Sequence, residues 1–156
     1  MQTWLDRLEG YLDAHRETGR MIDDSLITTG NYRAEAGIDA VRKLMALPEP
    51  PEAIIAASTQ VLDGVLEELA VLGLRIPEDI AVSCVDDPGF PMFFRPRITF
   101  VEQPGYAMGA EAVRLLMSGI EAGHHQHTHK VFPAHLQIGE SCGEQLAKSR
   151  GAVLAP

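Results

Sequence analysis

The chain has 156 residues, is 46% hydrophobic and 22% charged, and carries a formal net charge of −9. That composition suits one globular domain, or a portion of one, and excludes a disordered chain. The acidic balance repels nucleic-acid phosphate and anionic membrane surfaces alike.

Residues 3–17 are predicted to form an amphipathic helix. Trp4, Leu5, Leu8, Tyr11 and Leu12 recur at helical spacing and make one apolar stripe. Thr3 suits its start and Gly19 its end. LITT, at 26–29, is a short β-prone run closed by Gly30. A second helix is predicted over 33–47, where Pro48, Pro50 and Pro51 stop it. AIIAA, at 53–57, is continuously apolar, the pattern of a strand buried on both faces. A third helix follows over 61–72, with Ser58 or Thr59 as its cap and Gly73 after it. IAVSCV, at 80–85, reads as a second apolar strand.

Beyond Asp87 the pattern changes. PGFPMFFRPRITF holds three prolines and four phenylalanines and is no regular helix. A fourth helix is predicted over 104–122, with proline in its first turn. The polar run GHHQHTH comes next, then two short extended pieces near 130–132 and 136–138. The segment 143–156 is expected to be a frayed tail.

Strands alternating with helices imply an α/β fold, a parallel open sheet with helices on both faces. Ligands of such sheets sit at the carboxyl ends of the strands. Three polar junctions qualify: Gly30-Asn31-Tyr32, Ser58-Thr59-Gln60 and Asp86-Asp87-Pro88.

Several classes fall away. No apolar run reaches the ~18 residues of a membrane span. The acidic N-terminus has neither the basic start nor the apolar centre of a secretory leader, so a cytoplasmic location is expected. Two cysteines, Cys84 and Cys142, are too few for a disulfide scaffold. No nucleophile elbow, phosphate loop or zinc spacing is present, so no enzyme, cofactor or metal site is expected. His124, His125, His127 and His129 could hold a metal in an extended segment, but no cysteine or acidic cluster stands near them and a solvated loop accounts for them.

The run IPEDIAVSCVDD resembles the "vPeDisvvGfDd" signature of LacI/GalR-family bacterial transcriptional regulators. PRITFVEQPGYAMGAEAVRLLMSGIEAG and LQIGESC are similar to that family's following segments, and DRLEGYLDAHRETG and AIIAASTQVLDGVLEELAVLGLRIPEDI fit it upstream. The resemblance covers roughly 3–142. It implies part of a two-lobed, periplasmic-binding-protein-like effector domain of type I. Residues 1–103 would be an incomplete C-terminal lobe, 104–133 a helix and strand of the N-terminal lobe, and 134–142 a return to the C-terminal lobe. The DNA-binding headpiece has no counterpart here, so DNA contact is expected only through a segment absent from this chain.

The same resemblance assigns a site for a small effector, sugar-like or a related polar molecule, to Arg7, Tyr32, Ser58, Asp86 and Gln103. A guanidinium fork and a carboxylate suit paired hydroxyls, and a ring suits the apolar face of a sugar or base. Each has a plainer reading: Arg7 as a surface arginine beside Asp6 or Glu9, Asp86 and Asp87 as turn residues, Tyr32 as a surface tyrosine. Ser58 and Thr59 stand where the family usually has Asn-Asp, which implies a different effector or a lost one. Asp63 and Glu67 on the third helix, with Phe90, Met92, Phe93 and Phe94, are assigned to a dimer interface, although the aromatic cluster alone also reads as core. Met108, Ala112, Val113, Leu116 and Ile120 would be an uncovered apolar stripe, favouring a homodimer or swapped oligomer. Two further readings stay open: a headless, ligand-free interaction module, and a solute-binding protein of a transporter.

Overall fold

A computed structural model describes residues 2–123 and 128–144. Its elements run α1 (Gln2–Glu17), a 3-10 turn (Asp24–Leu26), α2 (Ala34–Met45), β1 (Ala53–Ala56), α3 (Thr59–Val71), β2 (Ala81–Val85), β3 (Thr99–Glu102), α4 (Gly105–Ala122) and β4 (His135–Gln137). The sheet has the order β1-β2-β3-β4. The first three strands are parallel, and β4 closes the far edge antiparallel to β3. This is the mixed α/β, parallel-dominated open sheet expected from the alternation.

The helix ends follow local chemistry. Gly19 and Gly73 take positive φ, +66° and +72°, which glycine reaches without a Cβ penalty. The next residue then returns its N–H to the helix, Arg20 to His15 O at 2.9 Å and Leu74 to Leu69 O at 3.0 Å. Ser58 caps α3 by accepting from the Val61 N–H. Thr3 lies inside α1, which starts a residue earlier than expected.

α2 and α3 lie together on one face of the sheet. Val41 and Leu44 from α2, Leu62, Val65 and Leu69 from α3, and Ile54, Ala56, Val82 and Cys84 from the strands make one buried cluster with Ile80 and Ile98. The two helices touch backbone to backbone through Gly37 and Gly64. A Cβ on Gly37 would lie 2.8 Å from the Val65 nitrogen, and one on Gly64 would overlap the Ala34 carbonyl. Across the same crossing Arg42 donates through Nε and Nη2 to the two oxygens of Glu68, 2.9 Å each, and Glu68 is only 4% exposed. A carboxylate that far from water persists because the guanidinium fork matches both its oxygens.

Residues 139–142 lock β2 to β3. Ser141 is fully buried; its hydroxyl donates to Val82 O at 2.6 Å and accepts from the Thr99 N–H at 2.9 Å. Its carbonyl accepts from the Val82 N–H at 2.9 Å. A side chain on Gly139 would overlap the backbone of Arg97 and Ile98, so this return strand passes as close as glycine permits.

Three expectations are corrected. LITT forms no strand: Asp23 accepts from the Ser25 N–H at 2.9 Å and turns the chain into the 3-10 segment, and residues 27–32 pair with no strand. β1 is buried on one face only, because α2 and α3 cover Ile54 and Ala56 while Ile55 is 60% exposed. Of the two extended pieces after the histidine run, only the second pairs, as β4. β3 itself was not foreseen. His124, His125 and His127, and the tail from 145 on, lie outside the described residues.

Candidate functional site

The carboxyl ends of β1, β2 and β3 converge on Asp86. β2 ends at Val85, and Asp86 turns away with φ +76°, a left-handed conformation that aspartate tolerates better than most residues. Its N–H donates to Val101 O on β3 at 3.0 Å, which holds it there.

Two side chains reach this carboxylate. Arg7, from α1, sets Nη2 3.6 Å from Asp86 Oδ2 and donates through Nη1 to the Ala57 carbonyl at 2.6 Å, just past β1. Gln103, just past β3, donates from Nε2 to Asp86 Oδ1. α1 and three strand ends thus supply one polar cluster, open to water on the Asp86 side, where the side chain is 37% exposed. The guanidinium and carboxylate offset one another's charge. Such a cluster offers a carboxylate acceptor, a guanidinium donor and an amide within one hand's breadth, the set that reads adjacent hydroxyl groups.

Beneath it lies Cys84, buried, its thiol pushed up to about 12 by burial first and by the Asp86 charge second. It is a neutral floor at physiological pH, not a nucleophile. Asp87 accepts from the Gly89 N–H at 2.8 Å and serves the turn, as expected of the second aspartate.

The other assigned residues are less closely tied to this cluster. Ser58 sits at the end of β1 with its oxygen committed to the α3 cap. Tyr32 stands 44% exposed ahead of α2, and no described hydrogen bond joins it to Asp86. Among the interface candidates, Met92 and Phe93 are 92% and 83% exposed, whereas Phe90 and Phe94 turn inward, ring centroids 4.4 Å apart, and pack on the core. Asp63 and Glu67 lie on the exposed side of α3. Sequence reasoning missed the Ala57 and Val101 carbonyls, which orient Arg7 and Asp86; a backbone acceptor leaves no signal in residue identity. Among the described residues no group of three or more metal-ligating side chains occurs, and no helix is long and apolar enough to cross a membrane.

In open α/β sheets the carboxyl ends of the strands, where this polar cluster lies, are where ligands sit. Residues 4–142 match the family described as periplasmic binding protein-like domain, and the chain belongs to that family. The HTH-type transcriptional repressor CytR of Escherichia coli (strain K12) is 36% identical over 118 residues, 76% of this chain and 35% of the relative. The HTH-type transcriptional regulator CelR of Thermobifida fusca is 33% identical over 141 residues, 90% of this chain and 42% of the relative. Among solved structures, the transcriptional regulator CelR–cellobiose complex superposes with a TM-score of 0.79 at 33% identity, over 88% of this chain and 42% of that one. A LacI family transcriptional regulator from Lactobacillus casei with bound sucrose gives 0.72 at 28% identity, over 86% and 50%. These relatives are transcriptional regulators of the LacI family, not enzymes. The chain spans about a third to two fifths of the length of the curated relatives it matches.

Proposed function

We propose that this chain is the effector-sensing portion of a LacI/GalR-type regulator acting in the cytoplasm. Arg7, Tyr32, Ser58, Asp86 and Gln103 line one wall of a cleft for a small, neutral, polyhydroxylated effector. The observation that carries this reading is the Arg7–Asp86–Gln103 cluster at the carboxyl ends of three parallel strands. Its mutually offset charges favour a neutral ligand over a sugar phosphate, which would bring two negative charges to Asp86. The solved neighbours that hold cellobiose and sucrose support a sugar-like class. In an intact regulator, a ligand that binds one lobe arrangement better than another shifts the population and so operator affinity; the DNA contact belongs to a headpiece segment outside this chain.

A thermal-shift screen against cellobiose, sucrose, hexoses and nucleosides tests it. Binding stabilises the native state by about 2.7 kcal/mol at a hundredfold excess over Kd. With one wall of the cleft present, weak binding at most is expected: a rise only at high concentration of one ligand class, lost in Asp86→Gly and Arg7→Met. A melt that none of these ligands moves would favour a ligand-free interaction module, the reading that Ser58 and Thr59 in place of the family's Asn-Asp support, or a wall that binds only with the rest of its cleft.

Self-association is part of the same proposal. Residues 104–133 are read as belonging to a second lobe, with 134–142 returning to the first and 143–156 as a tail. In keeping with this, no α4 residue is buried: Val113, Leu116 and Ile120 are 59%, 57% and 62% exposed, with Met108 and Ala112 on the same side. A contiguous apolar stripe of this kind is rarely left in water. The loop carrying Phe90, Met92, Phe93 and Phe94, with Asp63 and Glu67 of α3, is the second candidate contact. Light scattering behind gel filtration is expected to find a dimer or larger at micromolar concentration, reduced toward monomer by Leu116→Lys with Ile120→Lys. A monodisperse wild-type monomer would overturn this.

A further inference from the structure

We infer that the hydrogen bond from Gln103 to Asp86 is a latch that sets the direction in which α4 leaves the sheet. The acceptor side of the latch is rigid. Asp86 is held at φ +76° with its N–H on Val101 O, so its carboxylate position belongs to the β2–β3 framework. The donor side is the root of α4. Gln103 immediately precedes Pro104, which caps the helix at φ −77°, ψ 65°, outside both the helical and the strand regions. The Gln103 carbonyl accepts from the Gly105 N–H at 2.8 Å, and Pro104 O accepts from Met108 N–H at 3.0 Å. The latched side chain, the turn and the first helical residues are therefore consecutive, so holding the Gln103 side chain limits where its backbone, and with it the start of the helix, can lie.

Packing restrains that direction only lightly: one face of α4, with Ala107, Ala110, Glu111, Leu115 and Gly119, is half-buried and no residue of it is fully buried. α4 has no buried residue and contributes none to the core. No neighbouring atom lies within 4 Å of where a Cβ on Gly105 or Gly109 would sit. Farther along, Glu111 pairs with Arg114 of the same helix and with Lys130, on the segment that follows it. An 18-residue helix is about 27 Å long, so a turn of about 10° at its root carries the far end about 5 Å. A polar contact at the root thus has leverage over a large displacement, alongside the Glu111–Lys130 pair farther along the helix.

The carboxylate that holds the latch is also the one proposed to receive ligand hydroxyls. A ligand donating to Asp86 competes with the Gln103 amide, which makes occupancy of the site and direction of α4 two readings of one equilibrium. That consequence rests on the proposed effector site; the latch itself does not.

The test uses no ligand. Nitroxide labels are placed at Lys43→Cys on α2 and Glu121→Cys on α4, both exposed positions, in a Cys142→Ser background. Cys84 is buried and stays unlabelled. Pulsed electron-resonance distances are recorded on the chain diluted with unlabelled protein, so that only intramolecular pairs contribute. Gln103→Ala and Asp86→Gly remove the bond, and glycine accepts the positive φ without strain. Asp86→Asn keeps an acceptor oxygen at the same place. The expected result is one distance distribution shared by wild type and Asp86→Asn, and a shifted, broadened one in Gln103→Ala and Asp86→Gly. An unchanged distribution in both bond-removing variants, or Asp86→Asn as broad as Asp86→Gly, would overturn the latch. A failed ligand screen alongside a broadened Gln103→Ala would sink the effector site and leave the latch standing.

Discussion

Replacing Gly64 by valine is expected to keep this chain from holding its native fold. Gly64 lies where α3 meets α2, and even a methyl group there overlaps the Ala34 carbonyl and comes within 3.0 Å of the Ile38 nitrogen. Both neighbours are backbone, so no side chain can rotate aside. Overpacking a core ordinarily costs about 1–3 kcal/mol, and more where the obstruction is rigid. Here the helices must separate, and separation reaches Val41, Leu44, Val65 and Leu69 at once. A loss of about 4 kcal/mol or more is expected for valine, and about 2–3 kcal/mol for alanine, from a domain whose whole stability is about 5–15 kcal/mol. Urea denaturation followed by circular dichroism checks it; a Gly64→Val midpoint equal to wild type would show that the crossing is looser than described. The effect bears on function because the α2–α3 layer packs on β1 and β2, and their ends carry Asp86 and the carbonyl that orients Arg7.

Ser141→Ala is expected to be strongly damaging, although it removes one oxygen atom. That oxygen satisfies the Val82 carbonyl and the Thr99 N–H, and Ser141 is fully buried. No water replaces it without opening the strands. Leaving a buried donor or acceptor unpaired costs about 1–3 kcal/mol, so two such groups put the loss at about 2–6 kcal/mol. At about 2–4 °C per kcal/mol for a chain of this size, the melting temperature is expected to fall by roughly 4–24 °C. Differential scanning calorimetry of Ser141→Ala decides it, and a fall of under about 2 °C would mean that the backbone of 139–142 holds β2 to β3 without the hydroxyl. Ser141→Cys separates the two causes, since the thiol fills the volume but bonds weakly.

The two results mark where sequence reasoning reached and where it stopped. Helices announced themselves through spacing and punctuation. The stripe Trp4, Leu8, Tyr11 and the prolines after Leu47 placed α1 and α2 to within a few residues, and Gly19 and Gly73 take the positive φ that their positions past a helix suggested. β1 and β2 were legible as apolar runs between turn residues. Asp86 was legible as a polar residue at a strand end, and it lies at the meeting point of Arg7 and Gln103. β3 was hidden because the prolines and phenylalanines before it break any period, leaving only a four-residue strand, Thr99–Glu102. The 26–29 run misled in the other direction: its residues favour a strand, but a strand needs a partner edge, and the turn begun at Asp23 takes the chain elsewhere.

Local chemistry therefore determined the helices, two strands, the caps and the polar strand ends, because each depends on residues within a few positions of one another. Tertiary structure decided the rest, because those features join residues far apart in the chain. Nothing local makes Gly64 meet Ala34, or sends Ser141 fifty-nine residues back to Val82. Nothing local says which face of β1 is covered, or that Gln103 at the root of α4 closes on the carboxylate of Asp86. A residue type states what bonds it can make; only the folded chain brings the partner within reach.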